Sequence, residues 1–190
     1  MEQANIEDMN FDKKDFRKNP LPKGEYEHCV FNNCDFSNSD LSEVRFLNCE
    51  FIGCNLSLTN LAKTALRDVN FRDSKMLGLL FDSCNQFGLT VHFDNCNLSH
   101  SSFYAVKLKK TTFKNSRLNE TDFTDCDLSN SVFDNCDLER AVFENTIIEK
   151  ADFRTSFNFS LDPERNRVRK AKFSLAGIPG LLSKYDIEIF

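Results

Sequence analysis

The stretch Cys126-Asp127-Leu128-Ser129-Asn130-Ser131-Val132-Phe133-Asp134-Asn135-Cys136-Asp137-Leu138-Glu139-Arg140 decides the fold. Leu128, Phe133 and Leu138 stand five residues apart, and two places before each sits a small side chain, Cys126, Ser131 or Cys136. Read outward, the rhythm covers Phe93, Leu98, Phe103, Leu108, Phe113, Leu118 and Phe123 before this stretch and Phe143, Ile148 and Phe153 after it. An earlier series keeps the spacing in another phase: Ile6, Phe11, Phe16, Leu21, Tyr26, Phe31, Phe36, Leu41, Phe46, Phe51, Leu56, Leu61, Leu66, Phe71, Met76 and Phe81. Small positions recur with both series, as Cys29, Cys34, Ser39, Val44, Cys49 and Cys54 early, and as Val91, Cys96, Ser101, Val106, Thr111, Ser116, Thr121 and Ala141 later.

Neither regular element can bury such a pattern. A strand repeats every two residues, so an odd period throws successive centres onto opposite faces. A helix advances about 100° per residue, and five residues overshoot one turn by about 140°. The chain must therefore turn once per pentad, with the centre and the small residue inward, which makes a solenoid. Charges set the number of pentads per coil, because residues one coil apart are cross-strand neighbours and opposite charges favour that spacing. Between residues 93 and 154 a spacing of twenty gives six opposite pairs and no like pair: Asp94/Lys114, Lys114/Asp134, Asp134/Arg154, Lys107/Asp127, Arg117/Asp137 and Glu120/Arg140. Spacings of fifteen (five opposite, three like) and ten (three opposite, five like) fit less well. Four pentads per coil is the expected arrangement.

Units such as Cys34-Asp35-Phe36-Ser37-Asn38, Cys126-Asp127-Leu128-Ser129-Asn130 and Cys136-Asp137-Leu138-Glu139-Arg140 resemble the pentapeptide-repeat family, whose consensus is roughly Ala-(Asp/Asn)-Leu-X-X. The resemblance covers residues 24–156 and extends back towards residue 6. It implies an all-β solenoid, a right-handed quadrilateral parallel β-helix with square coils of four pentads. Roughly seven coils, at about 4.8 Å between neighbouring strands, make a rod on the order of 35 Å long. The expected division is a β-helix over residues 1–156, with a register shift near 84–92, and a C-terminal capping and dimerisation segment over 157–190.

Two breaks interrupt the repeat. Phe81 and Phe93 are twelve residues apart, so Cys84-Asn85-Gln86-Phe87-Gly88-Leu89-Thr90-Val91-His92 holds two extra residues. They form either a bulge or a small projecting loop, with Gly88 suited to a positive φ. After Phe153 the small-residue rule lapses, and a basic cluster follows: Arg165, Arg167, Arg169, Lys170 and Lys172. Leu175, Ile178, Leu181, Leu182 and Tyr185 then lie at helix-like spacings. Pro179 suits a first helical turn, while Gly177 and Gly180 weaken the helix, so that it needs packing to exist. Ile187-Glu188-Ile189-Phe190 alternates like a strand. Through Leu181-Leu182-x-Lys184-Tyr185-x-Ile187-x-Ile189 the tail is similar to that of the Qnr group of pentapeptide-repeat proteins. That resemblance implies a short helix capping the last coil and joining two subunits end to end, followed by a hydrophobic strand. The interface residues it points to are Leu175, Ile178, Leu181, Leu182, Tyr185, Ile187 and Ile189. A tail that only caps a monomer is the alternative. The linker at 157–172 is longer and more basic than the group's, and the long loops of many Qnr members are absent.

Composition bounds the chemistry. A chain of 190 residues fits one domain. Its twenty Phe, with three Tyr and no Trp, suit a narrow interior, since Phe carries no polar atom needing a partner. All eight cysteines (29, 34, 49, 54, 84, 96, 126 and 136) take the small inward position, which Ser, Thr, Ala and Val fill elsewhere. They read as buried, reduced thiols rather than as a metal set. His92 has no candidate ligands near it. No glycine-rich phosphate loop, histidine cluster or nucleophile–base motif occurs, so neither an enzyme nor a bound cofactor or metal is expected. No apolar run approaches the roughly twenty residues of a membrane span. Met1 to Asp8 lacks the basic and apolar regions of a signal peptide, so the expected compartment is the cytoplasm.

The Qnr resemblance implies a DNA-mimicking rod that binds DNA gyrase or topoisomerase IV and lessens the action of fluoroquinolones. Duplex DNA carries one charge per about 1.7 Å, so a mimic needs a dense acidic face. Residues 120–139 offer Glu120, Asp122, Asp125, Asp127, Asp134, Asp137 and Glu139 with no Lys or Arg. Residues 100–119, which should stack against them, hold five bases and no acid, and the net charge of −5 is modest. A structural protein-interaction scaffold with no topoisomerase link is the alternative. Direct nucleic-acid binding through residues 165–172 is a third reading and is not expected.

Overall fold

Each pentad is a short straight segment followed by a corner, and the corner falls on the second residue after each centre. Asn33, Asn38, Asn48, Asp68, Asn95 and Asn130 all hold left-handed φ values there, between 52° and 61°. Asn and Asp tolerate that region better than most residues. Leu58, Lys63 and Ala105 adopt it as well, so the register, and not local preference, dictates the turn. The corner N–H then donates to the next coil, as in Asn33 to Ile52, Asn38 to Ser57 and Asn130 to Glu149. Four corners close one turn of a square tube in this computed structural model, which describes residues 4–189.

The first eight strands alternate between two adjacent sides of the tube, and the last three lie on one of them. In chain order they are β1 (Ala4–Glu7), β2 (Asn10–Asp12), β3 (Gly24–Glu27), β4 (Val30–Asn32), β5 (Arg45–Leu47), β6 (Glu50–Ile52), β7 (Ala65–Arg67), β8 (Val69–Arg72), β9 (Val91–Asp94), β10 (Thr112–Lys114) and β11 (Val132–Asp134). The first side carries the sheet β1-β3-β5-β7 and the second the sheet β11-β10-β9-β8-β6-β4-β2. Single parallel bridges form the other two sides. Asp15, Asp35, Asn55, Lys75, Asn97, Arg117, Asp137 and Phe157 align on the third, and Leu80, Ser102, Asp122 and Val142 on the fourth. Pairing is parallel throughout. Phe113 faces Phe133 at the spacing of twenty that the charges indicated, and only across the insertion does it become 22, as Val69 faces Val91.

The interior is filled in columns. On the second side the rings of Phe11, Phe31, Phe51, Phe71, Phe93, Phe113, Phe133, Phe153 and Phe173 stack with centroids 4.5 to 5.5 Å apart. Seven turns separate Phe11 from Phe153. Phe81, Phe103, Phe123 and Phe143 form a second column on the fourth side and meet the first edge-on. The small positions do more than leave room. Thr59, Thr64, Thr121, Ser131, Thr146 and Ser156 donate to the carbonyls of Phe36, Leu41, Leu98, Leu108, Phe123 and Phe133 in the coil below. Cys49, Cys54 and Cys126 do the same to Tyr26, Phe31 and Phe103. Buried centre carbonyls thus find partners, as buried backbone groups must.

The two irregular segments differ in kind. At 84–92 the extra residues follow Gly88, whose φ is 71°. Gln86, at a centre position, is exposed and its amide donates to the carbonyls of Phe81 and Cys84. Leu89 packs against the core. Beyond residue 156 the ladder resumes: Arg167 bridges Ile147, Lys172 bridges Asp152, and Asn166 and Ala171 take the small positions.

Phe123 is fully buried, stacked between Phe103 and Phe143 and flanked edge-on by Phe113 and Phe133. Phe123→Ala is expected to cost about 3–5 kcal/mol in urea unfolding. Phe123→Leu should cost less than about 2 kcal/mol, because it keeps most of the volume. A loss near zero for Phe123→Ala would contradict the packing described.

Candidate functional site

Outward positions carry whatever function the tube has. The seven acids of residues 120–139 do not share one side. Asp127 lies on the first side, Asp134 on the second, Asp137 on the third and Asp122 on the fourth, each in its own bridge column. Glu120 and Asp125 sit on corners, and Glu139 adjoins Asp137. They ring one coil rather than line a stripe.

Ion pairs neutralise two of the seven, Glu120 and Asp127, and neutral side chains hydrogen-bond others. Glu120 pairs with Arg140 at 3.6 Å and lies 3.4 Å from His100. Asp127 pairs with Lys109 at 3.0 Å and accepts from Ser129; those bonds outweigh its partial burial and hold its carboxyl below the usual range. Asp134 accepts from Thr155, and Asp137 accepts from Asn119 and Asn158. Of the six pairs suggested by the spacing of twenty, Asp94–Lys114 and Glu120–Arg140 close as ion pairs. The others are register neighbours whose side chains turn elsewhere: Arg154, for example, folds back on Asp152 at 2.7 Å.

The basic cluster lies on the outer surface of the last coil. Arg165 pairs with Glu144, Arg167 with Glu149 and Lys172 with Asp152. Arg169 and Lys170 have no ion-pair partner among the described residues.

The tail folds over the end of the tube. A 3-10 turn at Leu175–Gly177 leads to the single-turn helix α1 (Pro179–Leu182), and Ser183–Tyr185 forms another 3-10 turn. The two glycines are contact points as well as weak helix formers. A Cβ on Gly177 would press on the Phe159 ring, and one on Gly180 would overlap the Phe159 carbonyl oxygen. Leu161 N–H donates to Gly180 O. Lys184 clasps Asp162 and Glu164 at 2.8 and 2.6 Å, and the Tyr185 hydroxyl donates to Glu164. These contacts lower both carboxyls and raise Lys184. Leu181 packs on the core and Leu182 is half-buried, whereas Leu175 (92% exposed), Ile178, Tyr185, Ile187 and Ile189 face outward. Residues 186–189 carry no regular structure in the single chain. The strand expected from the alternation at 187–190 is thus not formed over them, since no neighbouring edge pairs with it, and Phe190 lies outside the described residues.

All eight cysteines are free and buried. Burial pushes Cys49, Cys84, Cys96, Cys126 and Cys136 up to about 12. Among the described residues no group of three or more His, Cys, Asp or Glu could hold a metal, and no helix is long and apolar enough to cross a membrane.

The family model described as pentapeptide repeat region matches residues 25–86 and 89–157. No curated protein matches the sequence. Among solved structures, two trypsin-treated variants of QnrB1, described as a plasmid-mediated fluoroquinolone resistance protein, superpose with TM-scores of 0.64. They are 19% and 18% identical, and the alignments span 99% and 100% of this chain and 98% and 100% of theirs. Full-length QnrB1 gives 0.53 at 16% identity, over 97% of this chain and 100% of that one. The fold is the right-handed quadrilateral parallel β-helix of these structures.

The clasp makes a prediction about the tail. Gly180→Ala forces it off Phe159, so cleavage within residues 175–189 by a trace protease should quicken about tenfold while the coils unfold at nearly the same urea concentration. Acid should act in the same direction. The lowered carboxyls of Asp162 and Glu164 stabilise the docked tail above their unfolded values of about 4, and that support is lost as the pH falls through the folded values. Raised Lys184 keeps its contribution until the pH climbs past about 10.4. Cleavage that is flat between neutral pH and pH ~3 would rule out the clasp.

Proposed function

We propose that this chain, which belongs to the pentapeptide-repeat family, is a non-enzymatic interaction rod that engages a type II topoisomerase, DNA gyrase or topoisomerase IV, and lessens the action of fluoroquinolones on it. The observation that carries the reading is the match to QnrB1 structures along the whole chain, tail included, with a TM-score of 0.64. The tube offers a partner a rigid surface already in shape, so binding loses little conformational entropy. In a gyrase supercoiling assay with ciprofloxacin, micromolar protein is expected to restore supercoiling. No protection at about a hundredfold excess over the enzyme would remove the topoisomerase reading.

The charge pattern favours a second reading. The acids of residues 120–139 surround the coil, facing all four sides, with Glu120 and Asp127 ion-paired, so they do not reproduce the continuous negative face of a duplex. A structural interaction scaffold with another protein partner needs no such face.

Under either reading the chain pairs with its twin through the tail. Support comes from Leu175, Ile178, Tyr185, Ile187 and Ile189, apolar side chains exposed together at one end of the rod. A two-fold contact is self-complementary, so one such surface suffices. Leu175→Asp/Ile187→Asp touches only exposed positions and should abolish this end-to-end contact in light scattering while leaving the coils folded. A variant with unchanged mass would place the contact elsewhere.

A further inference from the structure

The first side of the tube sorts its charges by sign along the rod, although Arg45–Glu25, Lys109–Asp127 and Arg167–Glu149 pair within it. Its rungs are centred on Ile6, Tyr26, Phe46, Leu66, Gln86, Leu108, Leu128, Ile148 and Val168. The middle rung, Asn85-Gln86-Phe87-Gly88, has four rungs on each side of it and bears no charge. At the outward and corner positions the four N-terminal rungs carry five acids against two bases, and the four C-terminal rungs carry seven bases against two acids. One side of a rod with net charge −5 is thus sharply bipolar. At its midpoint stands Phe87, 77% exposed, with the Arg67 guanidinium 5.2 Å from its ring centre.

We propose that this side is an interface between two copies of the chain, packed antiparallel about a two-fold axis that runs along the strand direction at the middle rung. Such an axis reverses the order of rungs and keeps each position along the strand. It therefore sets Glu7 against Arg169, Asp8 against Lys170, Asp68 against Lys110 and Arg45 against Asp127, each twice by symmetry. The first three pairs join six charges that have no ion-pair partner of their own among the described residues. Two like pairs arise, Glu27 with Glu149 and Arg67 with Lys109. In each, one member is already neutralised within its chain, Glu149 by Arg167 at 2.7 Å and Lys109 by Asp127 at 3.0 Å. Arg45 and Asp127 are likewise paired within their chain, with Glu25 and Lys109, so the three unpartnered pairs carry the contact. Phe87 meets its own copy beside the axis, which covers the exposed ring. A parallel arrangement would set acid on acid and base on base. A nucleic acid would be attracted by the basic half and repelled by the acidic half, so a second copy uses the side more fully.

Sedimentation in the Leu175→Asp/Ile187→Asp background tests this apart from any tail contact. The variant is expected to dimerise at about 50 mM salt and to dissociate at about 500 mM, where the screening length falls to a few ångströms. Asp68→Lys and Lys110→Asp, each alone, should weaken the dimer about tenfold, and the two together should restore it within about threefold. Both positions are left-handed corners, a conformation that Asp and Lys share here, so the exchange does not disturb the backbone. A monomer at low salt and about 100 μM, or a double variant no better than the single ones, would overturn the proposal. Salt-sensitive binding of a short duplex that Lys110→Asp abolishes, with the protein itself monomeric, would overturn it in favour of a nucleic-acid partner.

Discussion

The tube rests on one backbone constraint, a left-handed corner every fifth residue. A residue with a Cβ gives up about 1–2 kcal/mol there, and this chain places Leu58, Ala105, Lys63, Glu120 and Arg140 in that conformation. A single coil could not sustain such a cost, because it has nothing above or below to bond. In the stack corner N–H groups donate to the next coil, as Glu120 does to Glu139 and Lys63 to Ser83. The same turn points one large and one small side chain inward from each side, so the corner, the ladder and the ring columns exist only together. Stability in such a rod is shared between neighbours along the axis.

The interior was legible because its rule is strict. One bulky and one small side chain per pentad leave no other arrangement, and the coil size showed in the charges because neighbouring rungs touch. The rest was harder for identifiable reasons. Asn158 and Pro163 occupy positions where the rhythm calls for apolar centres, so the repeat looks finished at Phe153. Yet Val168 and Phe173 stand twenty residues beyond Ile148 and Phe153, and the phase that would have found the last coil is intact. The corner chemistry was also on the page, in the Asn, Asp and Gly that recur two residues after the centres. At Gln86 the centre position is polar, and its place against the core goes to Leu89, an exchange that spacing alone cannot reveal. Gly177 and Gly180 look like helix weaknesses in the sequence, and only the approach of Phe159 shows the space they leave.

The acidic coil shows why a local count of charges misleads in a solenoid. Twenty consecutive residues visit all four sides, so a stretch rich in acids becomes a ring, and its members face four different directions. A functional surface on such a rod must be read down a column, at intervals of twenty, and not along the chain. Most of what the columns show is ion pairing between coils, as in Arg45 with Glu25 and Lys63 with Glu43. Exposed pairs of this kind contribute little each, but they cancel charge where they form. Information for a partner then resides where pairing is withheld. On the first side acids gather towards one end and bases towards the other, and the same repeat that could have alternated them did not. The tail differs, since it exposes apolar side chains together at one end, while Lys184 folds back to clasp Asp162 and Glu164. A rod of this build therefore offers two unlike surfaces, a charged side where any contact would weaken with salt and an apolar end where it would not.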